Sequence, residues 1–262
     1  MITVSDVNQF MLEFAPLALA EEWDNVGLLV GDPDSAINRV MTCLTITPES
    51  AAEAVAKQAD LIVTHHPLPF RPLKRITTEQ TAGRLLLELI KAGIAVISPH
   101  TAFDSALNGI NAQLAERFQL SHARPLMPAE NSTELGAGRM AEATPGTTLQ
   151  NLLEQAKSEF ALPQIRFVGS PDSPVKLIGL GCGSGGAFLQ AALQNKCDTL
   201  ITGEAQFHTC LEAKASGVSL ILLGHHTSER FALRELAGRL DQHFTELDVW
   251  VSEDEEDPIR VG

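Results

Sequence analysis

The stretch "ADLIVTHHPLPF" (residues 59–70) joins an apolar, strand-like run to two adjacent histidines. The run from Leu61 to Val63 is typical of a strand that is buried on both faces of a sheet. It is followed by His65 and His66. A polar loop that happens to hold two imidazoles accounts for this pair, and so does a metal site. The choice between them depends on the rest of the chain.

Composition limits the class of protein. The chain has 262 residues, of which 44% are hydrophobic, enough for one large globular domain or two of ordinary size. It contains no apolar run of about 18 residues and no basic N-terminal region, so we expect neither a membrane span nor a signal peptide. The 33 acidic and 19 basic residues give a formal net charge of −14. Because such a surface repels nucleic acid, we expect no nucleic-acid partner.

The cysteines indicate the compartment. Cys43, Cys182, Cys197 and Cys210 form no C-x-x-C pair, and no export signal accompanies them. A reduced, cytoplasmic location is therefore expected. Each thiol is interpreted as a small filler of the core.

Both ends of the chain give local predictions. "VSDVNQFMLEFA" near the N-terminus predicts a helix with Ser5 as its N-cap. Near the C-terminus, "VSEDEEDP" contains part of the acidic excess, and we expect it to be a solvated end.

The chain repeats its own pattern. Residues 38–67 and 175–208 each predict a strand, a turn, a helix and a second strand that ends in polar residues. Helical and strand periodicities alternate along the whole length, which indicates an α/β protein. We therefore predict two similar α/β lobes, residues 1–126 and 127–262, with mixed sheets flanked by helices and a metal site in the cleft between them.

The repeat extends to the residues that carry chemistry. "GIAVISPHTAFD" in the first half and "GVSLILLGHHTSE" in the second each give a glycine, an apolar strand, a histidine and an acid four residues after it. His100 aligns with His225, and Asp104 aligns with Glu229. The matched order makes a chance similarity a poor explanation.

Histidines gather where the predicted strands end. His65 and His66 follow one strand, His100 follows the next, and His225 follows the corresponding strand of the second half. Ligands of open α/β sheets bind at the carboxyl ends of strands. Because neighbouring strand residues point to opposite sides, we expect His65 and His66 to reach different ions of a pair.

Acids at helical spacing complete the predicted metal set. His225 and Glu229 lie four residues apart and share one helix face, and His100 and Asp104 repeat this spacing. Taken alone, each acid could be a first-turn residue favoured by the helix dipole, beside a satisfied core histidine. Imidazole and carboxylate donors together favour two divalent metal ions, such as Zn, Fe or Mn. Two such ions form a hydrolytic centre.

A glycine-rich turn offers a rival site. Gly181, Gly183 and Gly186 fit the G-x-G-x-x-G pattern of dinucleotide binding, between a predicted strand and a helix. Such turns are common, and a tight turn whose amides line the cleft or hold a phosphate is the alternative.

Glu204 and His208 form a further acid–histidine pair at a spacing of four residues. We predict that they transfer protons or support the metal ligands. A plain hydrogen bond at a helix start is the alternative interpretation.

Ordered blocks along nearly the whole chain resemble one known family. They are "EEWDNVGLLVGD" (21–32), "ADLIVTHHPL" (59–68), "SPHTAFDSALNGINAQLAE" (98–116), "GCGSGG" (181–186), "ITGEAQFH" (201–208) and "LLGHHTSER" (222–230). The sequence resembles the Nif-three-like family, also called GTP cyclohydrolase 1 type 2 homologues. The resemblance implies a dinuclear metal centre between two α/β lobes and a ring-shaped homohexamer.

The resemblance also implies which residues hold the metal ions. The implied ligands are His65, His66, Asp104, His225 and Glu229, with Glu229 bridging the two ions. The family does not use the position of His100 as a direct ligand, so this residue is expected to lie just outside the ligands. His226 is likewise expected near the site without binding an ion.

These observations lead to a functional hypothesis with two alternatives. The first is a metal-dependent hydrolase that acts on a nucleotide-like or phosphorylated small molecule, with Glu204 or His208 moving protons. The second is a non-catalytic metal-binding ring that serves as a scaffold or regulatory interaction partner. The third is a dinucleotide-binding protein that uses the turn Gly181–Gly186.

Overall fold

The structure, a computed structural model, describes residues 1–130 and 132–260. The helices are α1 (Val4–Phe14), α2 (Pro48–Ala56), α3 (Thr81–Ala92), α4 (His100–Ser105), α5 (Ile110–Arg117), α6 (Leu149–Glu159), α7 (Leu189–Gln194), α8 (Phe207–Ala215) and α9 (His225–His243). The strands are β1 (Ile2–Thr3), β2 (Gly27–Val30), β3 (Ala36–Ile37), β4 (Arg39–Cys43), β5 (Leu61–Thr64), β6 (Ala95–Ser98), β7 (Met127–Pro128), β8 (Gly136–Ala137), β9 (Arg139–Glu142), β10 (Arg166–Val168), β11 (Leu177–Gly181), β12 (Thr199–Thr202), β13 (Ser219–Leu222) and β14 (Asp248–Val251). Within the described ranges, no helix combines the length and apolar character that a bilayer crossing requires.

The chain forms two compact units. The first contains Met1–Phe103 and the chain from Arg230 onward, and the second contains Asp104–Glu229. These bounds differ from the expected lobes, 1–126 and 127–262. The reason is that β14 pairs with β4, so the C-terminal part of the chain returns to the first unit.

A mixed sheet forms the centre of the first unit. Its strand order is β14-β4-β5-β6-β2, in which β2 is antiparallel to β6 and the other pairings are parallel. All four residues of β5 are buried, because the strand lies in the middle of the sheet with both faces covered. The predicted apolar strand before the two histidines is therefore confirmed.

A second mixed sheet repeats this plan. Its order is β10-β13-β12-β11-β9, with β11, β12 and β13 parallel and both edge strands antiparallel. The parallel strands alternate with helices α7 and α8, as β4, β5 and β6 alternate with α2 and α3. The prediction of mixed sheets flanked by helices is confirmed.

The first helix begins at Val4, before the start that Ser5 as N-cap predicts. Thr3 is the N-cap: its hydroxyl oxygen accepts the N–H of Asp6, and the Asp6 carboxylate accepts the N–H of Thr3. This reciprocal pair satisfies two backbone donors that the helix end leaves open. The Ser5 prediction was therefore wrong, because Thr3 and Asp6 cap the helix together.

The acidic C-terminal segment is only partly solvated. Glu255 is buried, and its carboxylate accepts the N–H groups of Leu44 (2.9 Å) and Thr45 (2.6 Å). Arg230 forms an ion pair with the same carboxylate at 2.7 Å. The expectation of a solvated end is wrong at this residue, because Glu255 satisfies backbone donors after β4.

Candidate metal centre

Three histidines of the first unit form a cluster, here called the imidazole cluster: His65, His66 and His100. Each offers a ring nitrogen, and these donor atoms lie within 4.8 Å of one another. The ring centroids of His65 and His66 are 4.9 Å apart, and the two ring planes are inclined by 52°. Because β5 ends at Thr64, both histidines lie in the bend that follows the strand, and the expectation that they reach different ions of a pair stays a prediction.

Hydrogen bonds hold the two adjacent histidines in place. The His65 N–H donates to the Cys43 carbonyl, and its own carbonyl accepts the Ser98 hydroxyl at 2.6 Å. The Nδ1 atom of His66 lies 2.7 Å from the Thr45 hydroxyl. If Nδ1 bears the proton of a neutral ring, Nε2 is the atom that can bind a metal ion.

Asp24 fixes the third imidazole. Its carboxylate lies 2.6 Å from His100 Nδ1 and also accepts the hydroxyl and N–H of Thr101. Burial opposes ionisation, but the hydrogen bonds from His100 and Thr101 outweigh it and lower the pKa of Asp24 to about 2. An ionised Asp24 accepts a hydrogen bond from Nδ1–H of His100, which leaves Nε2 as the ring nitrogen that faces away from this carboxylate.

Sequence reasoning missed Asp24 as a functional residue. The block "EEWDNVGLLVGD" contains it, but periodicity assigns this block only a strand and a turn. Its partner His100 lies 76 positions away, beyond the reach of any local pattern. His100 itself has a φ of +26°, a strained value for a residue with a side chain. The Asp24 and Thr101 contacts hold that conformation.

In the second unit, His225 lies between two carboxylates. Its Nε2 is 3.1 Å from Glu229, and its Nδ1 is 2.9 Å from Glu204. The bond to Glu229 outweighs burial and, together with Glu204, raises the pKa of His225 to about 9. Hydrogen bonds from His225 and Ser184 lower the pKa of Glu204. The predicted contact between His225 and Glu229 is present at the start of α9.

Asp104 contacts a cysteine that the sequence analysis assigned only to the core. Its carboxylate accepts the Cys182 thiol at 3.1 Å, and Cys182 N–H donates to the side chain of Asn111 at 2.8 Å. Burial, followed by the charges of Asp104 and Glu229, raises the pKa of Cys182 well above its ordinary value. Cys182 therefore remains a thiol that donates to Asp104.

The glycine-rich turn packs against the same acids. Gly183 has a φ of +56°, and a Cβ on it would overlap the Glu229 carboxylate. Its N–H donates to the Ser228 hydroxyl at 2.9 Å. A Cβ on Gly181 would overlap the ring of Phe188. Close packing thus accounts for these glycines, and the dinucleotide interpretation gains no support from them.

Glu204 and His208 have different surroundings. Glu204 accepts the Ser184 hydroxyl at 2.7 Å and contacts His225. His208 is exposed on α8, with its ring beside Phe207. No hydrogen bond joins Glu204 to His208, both of which lie in the described part of the chain. The proton-transfer role assigned to them stays a prediction.

The donor chemistry fits a divalent cation. The first unit supplies three imidazoles whose donor atoms lie within 4.8 Å, and the second supplies an imidazole with carboxylates. The carboxylates of Asp24 and Glu204 each contact Nδ1 of a histidine, an arrangement typical of metal-binding imidazoles. The residues present can therefore hold a metal ion.

Comparisons with known proteins show similarity to one family over nearly the whole chain. The family model described as Duf34/NIF3 (NGG1p interacting factor 3) matches residues 2–258. The chain is 32% identical to a GTP cyclohydrolase 1 type 2 homolog of Clostridium perfringens, over 98% of both sequences. It is 36% identical to the Protein NIF3 homolog of Schizosaccharomyces pombe, over 93% of this chain and 92% of that protein.

A solved structure supports the same assignment. The Staphylococcus aureus hypothetical protein SA1388 matches with a TM-score of 0.88 and 28% identity, over 99% of both chains. The same proteins that share the fold of two α/β units with mixed sheets are thus also similar in sequence over nearly the whole chain. The chain belongs to the Duf34/NIF3 (NGG1p interacting factor 3) family.

Proposed function

We propose that this protein binds two divalent metal ions and hydrolyses a nucleotide-like or phosphorylated small molecule. The proposed ligands are His65, His66, Asp104, His225 and Glu229, with Glu229 shared by both ions. The observation that supports the proposal most directly is the imidazole cluster, whose donor atoms lie within 4.8 Å of one another.

The number of donors favours ligands from both units. The proposed ligands of the first unit, His65 and His66, are imidazoles and supply no negative charge to two divalent ions. Asp104 and Glu229 supply that negative charge in the second unit. The proposed ligands therefore combine imidazoles with carboxylates.

Divalent ions held by these residues would lower the pKa of bound water and would neutralise negative charge on a phosphorylated substrate. The residues around the ligands have separate tasks. Asp24 and Glu204 orient His100 and His225 through Nδ1, and Cys182 orients Asp104. We assign proton transfer to Glu204 or His208, which lie outside the ligand set.

The substrate class, assembly and location belong to the same proposal. Curated relatives named GTP cyclohydrolase 1 type 2 homolog support a nucleotide-like substrate. We further propose a homohexamer in the cytoplasm, where the reduced state of all four cysteines is stable. No nucleic-acid partner is proposed, since the formal net charge is −14.

Metal analysis tests the proposal. Protein purified without chelator is expected to contain about two equivalents of metal per chain. Glu229→Gln is expected to retain about one equivalent or less, because a neutral amide cannot bridge two cations. His122→Ala removes an exposed imidazole outside the site and serves as the matched control. Full metal content in Glu229→Gln would contradict the assignment of Glu229 as a metal ligand.

Turnover separates the hydrolase from the scaffold. The metal-loaded protein is assayed against a panel of nucleotides and sugar phosphates, and Glu229→Gln is expected to lose at least about 100-fold in activity. If the metal-loaded protein turns over none of them, while variants that cannot assemble lose biological function, the scaffold explanation replaces the enzyme.

A further inference from the structure

Two exposed aromatic rings lie beside the imidazole cluster. Trp23 is 62% exposed and Phe70 is 49% exposed, and their ring centroids are 6.1 Å apart. Each also lies against His100, at 6.0 Å for Trp23 and 5.7 Å for Phe70. Large rings with exposed faces next to polar donors are typical of sites that bind a planar ligand.

The two rings are held by ordered neighbours. Trp23 directly precedes Asp24, whose carboxylate is bound to His100. Phe70 lies on the loop between β5 and α3, and this loop is anchored by Leu68, which is buried in the core, and by Leu73, which packs against it. The side chain of Asn25 adds a 2.8 Å hydrogen bond to the carbonyl that precedes Phe70. A ligand therefore meets rings that are already positioned.

The same loop has a local excess of positive charge. Arg71, Lys74 and Arg75 are exposed, and residues 65–78 contain no acid, although the whole chain has a formal charge of −14. Among the described residues, no carboxylate forms an ion pair with any of these three cations. Basic groups beside exposed rings match a ligand with an anionic end and an aromatic end.

We propose that Trp23 and Phe70 stack against the base of a nucleotide and that Arg71, Lys74 and Arg75 contact its phosphate. Stacking needs only an aromatic face, so it tolerates different bases. The proposal deepens the proposed function, since it rests on that function for the nucleotide-like substrate. It predicts binding of the base even to protein that contains no metal, because the rings lie outside the ligand set.

Tryptophan fluorescence tests the stacking. The chain has two tryptophans, and Trp250→Phe leaves Trp23 as the only emitter. The probes are GMP, guanosine, which lacks the phosphate, and ribose 5-phosphate, which lacks the base. GMP and guanosine are expected to quench Trp23, whereas ribose 5-phosphate is not, because only a base can stack on the ring.

Calorimetry with variants separates the two ends of the ligand. Trp23→Ala and Phe70→Ala are each expected to weaken GMP binding about tenfold, with ribose 5-phosphate binding unchanged. Replacing Arg71, Lys74 and Arg75 together by Gln is expected to weaken GMP about tenfold and to leave guanosine unchanged. Phe167→Ala removes a 40% exposed ring on β10 and is the matched control.

Several outcomes would overturn the inference. Wild-type protein that binds neither GMP nor guanosine contradicts it, as does unchanged GMP binding in both aromatic variants. If Trp23→Ala changes the oligomer mass in light scattering but not GMP binding, the rings form a contact between copies instead. GMP binding by protein that takes up no metal when Zn²⁺ is supplied supports this inference while contradicting the proposed metal centre, so the two proposals fail separately.

Discussion

Asp24 illustrates how one buried carboxylate sets the properties of a neighbouring imidazole. It lies 2.6 Å from His100 Nδ1, and its side chain is only 1% exposed. A carboxylate in this position selects the ring tautomer and holds the ring at one orientation. Asp24, which is not a proposed metal ligand, thus determines which ring nitrogen His100 directs toward the imidazole cluster.

We predict that Asp24→Asn weakens Zn²⁺ binding by about 10-fold, since His100, whose ring packs against the proposed ligands His65 and His66, loses its fixed orientation. Affinity is measured on metal-free protein by competition with a coloured chelator. Asp32 is an exposed acid at the end of the same block, and the Asp32→Asn variant is expected to bind Zn²⁺ as the wild type does. Equal affinity in both variants would show that Asp24 does not position His100.

Gly183 is required for a different residue-scale reason. Its backbone passes so close to Glu229 that a methyl group would occupy the place of the carboxylate. Its positive φ of +56° adds a conformational cost for any side chain. Only a glycine at position 183 therefore allows the turn to pack directly against the Glu229 carboxylate.

Gly183→Ala is predicted to reduce metal content to about one equivalent or less, because Glu229 must move. Gly217→Ala is the matched control: its φ is +74°, but an added Cβ meets no atom within 4 Å. The control should lose about 1 kcal/mol of unfolding free energy and keep its metal. Metal analysis and urea denaturation of both variants provide the comparison. Normal metal content in Gly183→Ala would contradict the view that Gly183 leaves space for the Glu229 carboxylate.

At the scale of elements, the segment after β14 supports the end of β4. Glu255 accepts two backbone N–H groups there, and the hydroxyl of one of these residues, Thr45, contacts His66. Arg230 balances the buried charge. A segment that composition assigns to solvent therefore helps to position an imidazole.

Glu255→Ala is expected to lower the free energy of unfolding by about 3 kcal/mol, since Arg230 loses its buried partner. It should also weaken Zn²⁺ binding, because Thr45 no longer has a fixed position. Glu256→Ala breaks only an exposed pair with Arg260 and should change stability by about 0.5 kcal/mol or less. Urea denaturation and chelator competition measure both effects. Similar losses of stability and Zn²⁺ affinity in the two variants would count against a structural role for the Glu255 contacts.

At the scale of the whole molecule, buried carboxylates make folding depend on pH. Burial opposes ionisation of Glu53, but hydrogen bonds from Ser252, Lys57 and the backbone outweigh it and lower the pKa of Glu53 from 4.5 to about 2. The ionised form is therefore favoured in the folded chain. Its contribution is present above about pH 4.5 and is lost as the pH falls toward about 2.

The wild type is predicted to lose more stability than Glu53→Gln between pH 5 and pH 2. The difference in free energy of unfolding between wild type and Glu53→Gln should shrink by about 3 kcal/mol from pH 5 to pH 2. Urea denaturation at a series of pH values measures it. Glu49→Gln, an exposed acid on the same helix, should follow the wild-type curve. Parallel curves for wild type and Glu53→Gln would contradict the lowered pKa.

The sequence by itself determined the local features of this protein. Apolar runs predicted strands such as β5 and β12, because burial of both faces requires uninterrupted apolar residues. The contact between His225 and Glu229 was predictable because it lies within one helical turn. The alignment of the two halves was also visible, since each half repeats the same order of elements.

Tertiary structure alone decided which distant residues meet. Asp24 and His100 are 76 positions apart, Asp104 and Cys182 are 78, and Leu44 and Glu255 are 211. The bend after β5 also sets the 4.9 Å distance between the ring centroids of His65 and His66. Periodicity reports only which face of an element is buried, whereas these contacts depend on how the elements pack and where each strand ends.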